Sequence, residues 1–134
     1  MTQKISKVLL IDDSKELNFL HQLVINHSGI ADEVIAVQMA ERGLEYLAEN
    51  KENTSLLPDL ILLDINMLGM DGWDFLAEFE KIKSDLKKAP IIIMITASNN
   101  PNDFYRATKY SSVSGCNSKP LTEAMLHDIL KNYF

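Results

Sequence analysis

Asp12-Asp13, Asp64, Thr96 and Ser118-Lys119-Pro120 each follow a short run of Val, Ile or Leu in this chain. If folding gathers them, three carboxylates, a hydroxyl and an ammonium meet in one place. Carboxylates a few ångströms apart repel by ~1 kcal/mol per pair in water, and by about four times that at an effective dielectric of 20. Either one takes up a proton or a cation sits among them. Oxygen donors with no His or Cys beside them suit a hard ion, Mg²⁺ before zinc. Mg²⁺ keeps several waters and favours sites completed by a phosphoryl group. Lys119 and Thr96 are then suited to hold phosphoryl oxygens, one as a point charge and the other as a donor. A carboxylate can also attack phosphorus to give an aspartyl-phosphate. Asp64, alone at the end of the central apolar run, is the candidate nucleophile, and the adjacent Asp12 and Asp13 are better suited to share a metal. The segment Asn66-Met67-Leu68-Gly69-Met70-Asp71-Gly72 makes a glycine-punctuated turn, and a backbone carbonyl near Asn66 can supply another oxygen.

The elements that must position these groups are legible as periodicities. Val8–Ile11, Val34–Val37, Leu60–Leu63 and Ile91–Ile95 are unbroken apolar runs, as expected of strands buried on both faces of a parallel sheet. A weaker fifth run spans Val113 to Cys116. Each gap is long enough for a helix and two loops. The first holds Leu17, Leu20, Leu23, Val24 and His27 on overlapping turns; the second holds Ala40, Gly43, Leu44, Leu47 and Ala48 at helical period. Phe75, Phe79, Ile82 and Leu86 mark the third helix, Asp103 to Ser111 the fourth, and Leu126, Ile129, Leu130 and Tyr133 the fifth, with Thr122 as its cap. Asp13 or Ser14 caps the first. Five βα units predict an α/β fold: a five-stranded parallel sheet with helices on both faces, (βα)5, in the flavodoxin-like strand order 2-1-3-4-5. In that order strands one, three, four and five are neighbours, and their carboxyl ends bring the polar groups into one cleft.

The 134 residues fit one domain, residues 1–134, with no segment left for an output domain after the fifth helix. At 46% hydrophobic the chain can build a core, and a formal net charge of −6 disfavours wrapping nucleic acid or anionic lipid. One cysteine, Cys116, excludes an internal disulfide and a thiolate zinc cluster, and fits a reducing compartment. No signal peptide or membrane-spanning run is read, so the expected location is cytoplasmic.

The strand-end pattern Val8-Leu9-Leu10-Ile11-Asp12-Asp13, Leu60-Ile61-Leu62-Leu63-Asp64-Ile65-Asn66-Met67, Ile93-Met94-Ile95-Thr96-Ala97 and Ser118-Lys119-Pro120 resembles the receiver (CheY-like) domain of two-component response regulators over nearly the whole chain. By that resemblance Asp64 is the phosphoacceptor, Asp12 and Asp13 the acidic metal pair, Thr96 the switch hydroxyl and Lys119 the lysine that pairs with the phosphoryl group. Asn66 matches the position whose carbonyl ligates Mg²⁺ and whose side chain tunes dephosphorylation, Ser98 another rate-tuning position, and Ala97 the small residue that leaves phosphoryl access. The resemblance implies a phosphorelay receiver that catalyses only its own phosphorylation and dephosphorylation. It also implies a histidine kinase or histidine phosphotransfer protein as donor and a downstream partner reading the surface of the fourth helix, fifth strand and fifth helix. A phosphorylation-linked homodimer is left open. Two positions depart from the pattern. Cys116 stands where an aromatic residue is usual, and Leu68 stands where proline often follows Met, at a cost under about 1 kcal/mol.

A haloacid-dehalogenase-type phosphatase needs a second Asp where Asn66 stands, and a flavodoxin-like cofactor binder needs a phosphate loop where Asp12-Asp13-Ser14 stands. A pseudo-receiver that only docks partners would not need all five site residues. His21, His27 and His127 have no second ligand at i+4 and read as surface or boundary residues. Cys116 reads as a small buried hydrophobe. Phe104, Tyr105 and Tyr110 on the fourth helix divide evenly between core packing and partner docking. Arg106 and Lys109 beside them read as solvated surface charge.

Overall fold

Continuous burial on both faces of a strand favours apolar side chains, and the central strand supplies four in a row, Leu60–Leu63, before the buried Asp64. All five residues of Leu60–Asp64 are buried. The computed structural model describes residues 4–97 and 100–134. Its elements run β1 (Ile5–Ile11), α1 (Lys15–Ser28), β2 (Ala31–Val37), α2 (Ala40–Glu49), β3 (Leu60–Asp64), α3 (Gly72–Ile82), β4 (Ile91–Thr96), α4 (Pro101–Ala107), β5 (Val113–Ser118) and α5 (Glu123–Tyr133). A 3₁₀ turn over Lys83–Asp85 extends α3. All strand pairs are parallel and the order is β2-β1-β3-β4-β5, the arrangement the sequence predicts.

Alternation along the strands feeds two cores. Leu9, Ile11, Ile61, Leu63, Ile92 and Met94 face α2 and α3, where Leu47, Phe75, Leu76 and Phe79 cover them. Val8, Leu10, Leu60, Leu62, Ile93 and Ile95 face the opposite side, where Ile25, Leu126 and Ile129 close the layer. The caps follow sequence. Ser14, not Asp13, caps α1, accepting from the Leu17 amide at 3.2 Å. Asp71 and Asp74 form a reciprocal capping box at α3. Thr122 caps α5 as expected. Gly29 ends α1 at φ 72°, a left-handed conformation that a side chain disfavours.

Three expectations need correction. Of the apolar stripe read on the first helix, Val24 packs against the core and Leu17 is half-buried, but Leu20 and Leu23 face outward, 43% and 52% exposed, and the fully buried positions are Asn18, His21 and Ile25. Those three share one helical face, which mixes the apolar Ile25 with two polar residues. His21 is therefore fully buried and not a surface histidine, while His27 and His127 are exposed. The fourth helix starts at Pro101, whose fixed φ suits the first helical position after the Asn100 cap, and it stops at Ala107. Tyr110 thus lies beyond it, stacked on Trp73 at 5.5 Å between ring centroids, while Tyr105 is exposed. No described helix is long and apolar enough to cross a membrane.

Candidate functional site

Parallel pairing puts the strand ends in register. Ile11 lies opposite Leu63, Asp64 opposite Ile95 and Thr96 opposite Ser118. Asp12, Asp64, Thr96 and Lys119 therefore emerge side by side at the carboxyl edge of the sheet. One carboxylate oxygen from each of Asp12, Asp13 and Asp64 lies within 4.8 Å of the others. Lys119 Nζ reaches in from the far side, 2.6 Å from Asp12 Oδ2 and 3.0 Å from Asp64 Oδ1. Asp12, Asp64 and Thr96 are buried, and Asp13 is exposed at the mouth.

The supporting bonds fix each group. Asp12 Oδ1 accepts the Ser14 amide at 2.9 Å, and its carbonyl accepts from Asn18 Nδ2 at 2.9 Å. Asp13 Oδ2 accepts the Leu68 amide at 3.0 Å, tying the β3–α3 turn to the acidic pair. The Lys119 amide donates to the Thr96 carbonyl at 2.8 Å. The α3 N-terminus packs tightly behind Asp64. A Cβ on Gly72 would meet the Asp64 carbonyl oxygen at 2.7 Å, so glycine is required by close approach.

Electrostatics follow from this crowding. Burial pushes the Asp64 carboxyl up to about 6; the hydrogen bond from Lys119 opposes that, and the charges of Asp12 and Asp13 add to it. Burial pulls the Lys119 ammonium down, but its bonds to Asp12 and Asp64 outweigh burial and leave it raised. Three carboxylates against one ammonium leave a surplus of negative charge, open to solvent on the Asp13 side. The donor set fits a hard divalent cation. It is all oxygen, and its span is close to the roughly 4 Å between opposite ligands of a Mg²⁺ octahedron.

A family model described as the response regulator receiver domain matches residues 8–131. The chain belongs to the response regulator receiver domain family. Among curated receivers it is 36% identical over 93 residues to response regulator Rcp1 of Synechocystis sp., covering 69% of this chain and 63% of Rcp1. It is 33% identical over 104 residues to the two-component response regulator ORR1 of Oryza sativa, covering 76% of this chain and 44% of ORR1. Matched segments thus span less than two thirds of either relative. The crystal structure of a two-component response regulator from Cytophaga hutchinsonii superposes with a TM-score of 0.89 at 30% identity, covering 96% of each chain. The Mn²⁺-bound form of Rcp1 gives a TM-score of 0.75 at 28% identity, covering 96% of this chain and 97% of that one.

Within this receiver the sequence-read residues Asp12, Asp13, Asp64, Thr96 and Lys119 all come to the one sheet edge. The Asn66 side chain is exposed in the turn just after Asp64. Ala97 is exposed after β4, and Ser98 lies outside the described residues. Cys116 is half-buried on β5 opposite Met94, its thiol pushed up to about 11 by burial and by Asp103, in keeping with a small apolar residue. Arg106 lies over the Trp73 ring at 4.3 Å, so it packs on the receiver and is not simply solvated. Sequence reading missed Asn18, His21 and the Leu68 amide as supports of the site. For Asn18 and His21 a signal existed, namely two polar residues in line with Ile25 on the helix that follows the acidic pair.

Proposed function

We propose that this receiver accepts a phosphoryl group from phosphohistidine onto Asp64. The observation that carries the reading is the Asp64 carboxylate buried between a lysine at 3.0 Å and two further aspartates. Asp64 attacks phosphorus as the phosphorus–nitrogen bond of the donor breaks, and the imidazole leaves with the bonding pair and takes up a proton. Lys119 then exchanges its carboxylate partners for a phosphoryl oxygen, and the Thr96 hydroxyl donates to another. Asp12, Asp13, Asp64 and the Asn66 carbonyl would hold Mg²⁺, which when bound neutralises charge on the transferring group. That the related Rcp1 has an Mn²⁺-bound form supports divalent-ion binding by this receiver.

Drawing Thr96 and Lys119 toward the phosphoryl group favours one of two arrangements of the α4-β5-α5 surface, a population shift read by a partner protein. The donor is a histidine kinase or histidine phosphotransfer protein, and the only reactions catalysed are the receiver's own phosphorylation and dephosphorylation. The receiver domain, residues 8–131, acts in the cytoplasm. Incubation with acetyl phosphate and Mg²⁺, followed by intact-mass measurement, should add one phosphate, and Asp64→Asn should abolish the addition. Undiminished labelling of that variant sinks the assignment.

A further inference from the structure

The inner face of α1 carries two polar side chains beside the apolar Val24 and Ile25. Asn18 and His21 are buried in line with Ile25, and each is tied to a different end of the acidic site. Asn18 Nδ2 donates to the Asp12 carbonyl at 2.9 Å and to the Val37 carbonyl at 3.3 Å, bracing the end of β1. His21 Nε2 accepts the Leu121 amide at 3.3 Å, one hundred positions away in sequence and two residues past Lys119.

The segment that carries the lysine is thereby pinned at both ends. The Lys119 amide is held by the Thr96 carbonyl at 2.8 Å, and the Leu121 amide, beyond the end of β5, is held by His21. A lysine has a long flexible stem, so where its ammonium stands depends on where its backbone is fixed. An apolar residue of similar size could fill the same space, but it would leave the Leu121 amide buried without an acceptor. Because Nε2 accepts, the neutral ring carries its proton on Nδ1. Burial, set partly against the Asp12 charge and aided by that of Lys119, holds the ring below the usual histidine range and so favours this neutral form.

We propose that His21 is a positioning residue of the receiver site: by accepting the Leu121 amide it fixes the backbone on which Lys119 is mounted, and so sets the ammonium between Asp12 and Asp64. For its rate arm this rests on Asp64 being the phosphoacceptor; for its metal arm it does not.

The test compares three variants of the full chain. His21→Leu and His21→Met remove the acceptor with little change in volume, and His21→Gln keeps an acceptor oxygen. Each is assayed for the rate of labelling by acetyl phosphate and for Mn²⁺ affinity by calorimetry. The two apolar variants should label about tenfold more slowly, yet bind Mn²⁺ about threefold more tightly, because a loosened Lys119 competes less for the carboxylates. His21→Gln should return both values to near those of the parent. Wild-type labelling in the apolar variants overturns the proposal, as does a glutamine variant as impaired as leucine. So does a fall in Mn²⁺ affinity together with rate, which marks collapse of the whole pocket. Labelling that persists in Asp64→Asn refutes the phosphoacceptor reading instead. The Mn²⁺ arm then decides alone, tighter binding in the apolar variants upholding His21 and unchanged binding rejecting it.

Discussion

Helices α1 and α3 each follow a strand with site carboxylates at its carboxyl end, and both are capped by a side chain at the first turn, yet they use their inner faces differently. α3 buries Trp73, Phe75, Leu76 and Phe79, with the two phenylalanine rings 6.1 Å apart and near-parallel. α1 buries Asn18, His21 and Ile25 and leaves Phe19, Leu20 and Leu23 facing outward. The α3 side of the sheet is held by apolar area removed from water. The α1 side gives up part of that gain to hydrogen-bond the backbone on which Asp12 and Lys119 are carried. One helix stabilises the fold, and the other holds the geometry of the site.

The comparison breaks if the α3 core can be hollowed cheaply. Phe79→Ala should cost about 3–5 kcal/mol in urea unfolding, the usual loss for a buried aromatic truncated to a methyl group. A loss below about 1 kcal/mol would mean that α3 is not the stabilising partner.

The two regions should also answer differently to pH. The Asp64 carboxyl moves from its ordinary 3.8 to about 6 on folding. The folded chain therefore holds that proton more tightly than the unfolded one. The associated stability is full below about pH 4 and is lost as pH rises through about 6. In metal-free buffer Asp64→Asn should gain on the parent across that window, with a ceiling near 3 kcal/mol at about 1.4 kcal/mol per pH unit. Denaturant titrations at pH 4 to 8 check this, and a difference that stays flat with pH would contradict it. The cost of Phe79→Ala should not vary over the same range.

Smaller effects sharpen the contrast. Asp71→Ala removes the side-chain half of the α3 capping box and should cost about 1 kcal/mol, read as a shift in unfolding midpoint with unchanged slope. Leu23→Ser, on the outward face of α1, should stay within about 0.5 kcal/mol of the parent. A larger loss would show that this face packs after all.

What the sequence made legible follows the same division. β1, β3 and β4 stand out because two-sided burial admits no polar interruption, and once their order is set the strand ends deliver Asp12, Asp13, Asp64, Thr96 and Lys119 to one edge. The end of β5 was harder to see. Asn117 and Ser118 are half-buried strand residues, so no apolar run marks the last two positions. α4 runs over Pro101–Ala107 and not to Ser111, and Asn100-Pro101 carries the signal for its start. Hydrophobicity marks the inner face of α1 only through Val24 and Ile25. Leu20 and Leu23 point away from the core, and Asn18 and His21 bond inward to carbonyls and an amide from strands and loops distant in the chain, with Asn18 Oδ1 and His21 Nδ1 left without a partner among the described residues. Local patterns do not record such partners.

Trp73 is the sole tryptophan of the chain, almost wholly enclosed, with the Arg106 guanidinium above its face and the Tyr110 ring alongside. Its indole belongs to α3 and its neighbours to α4 and the turn beyond. Tryptophan emission, excited selectively beyond the tyrosine absorption, therefore comes from one chromophore lodged across that seam, and it reports on the packing of the two helices with no dye attached.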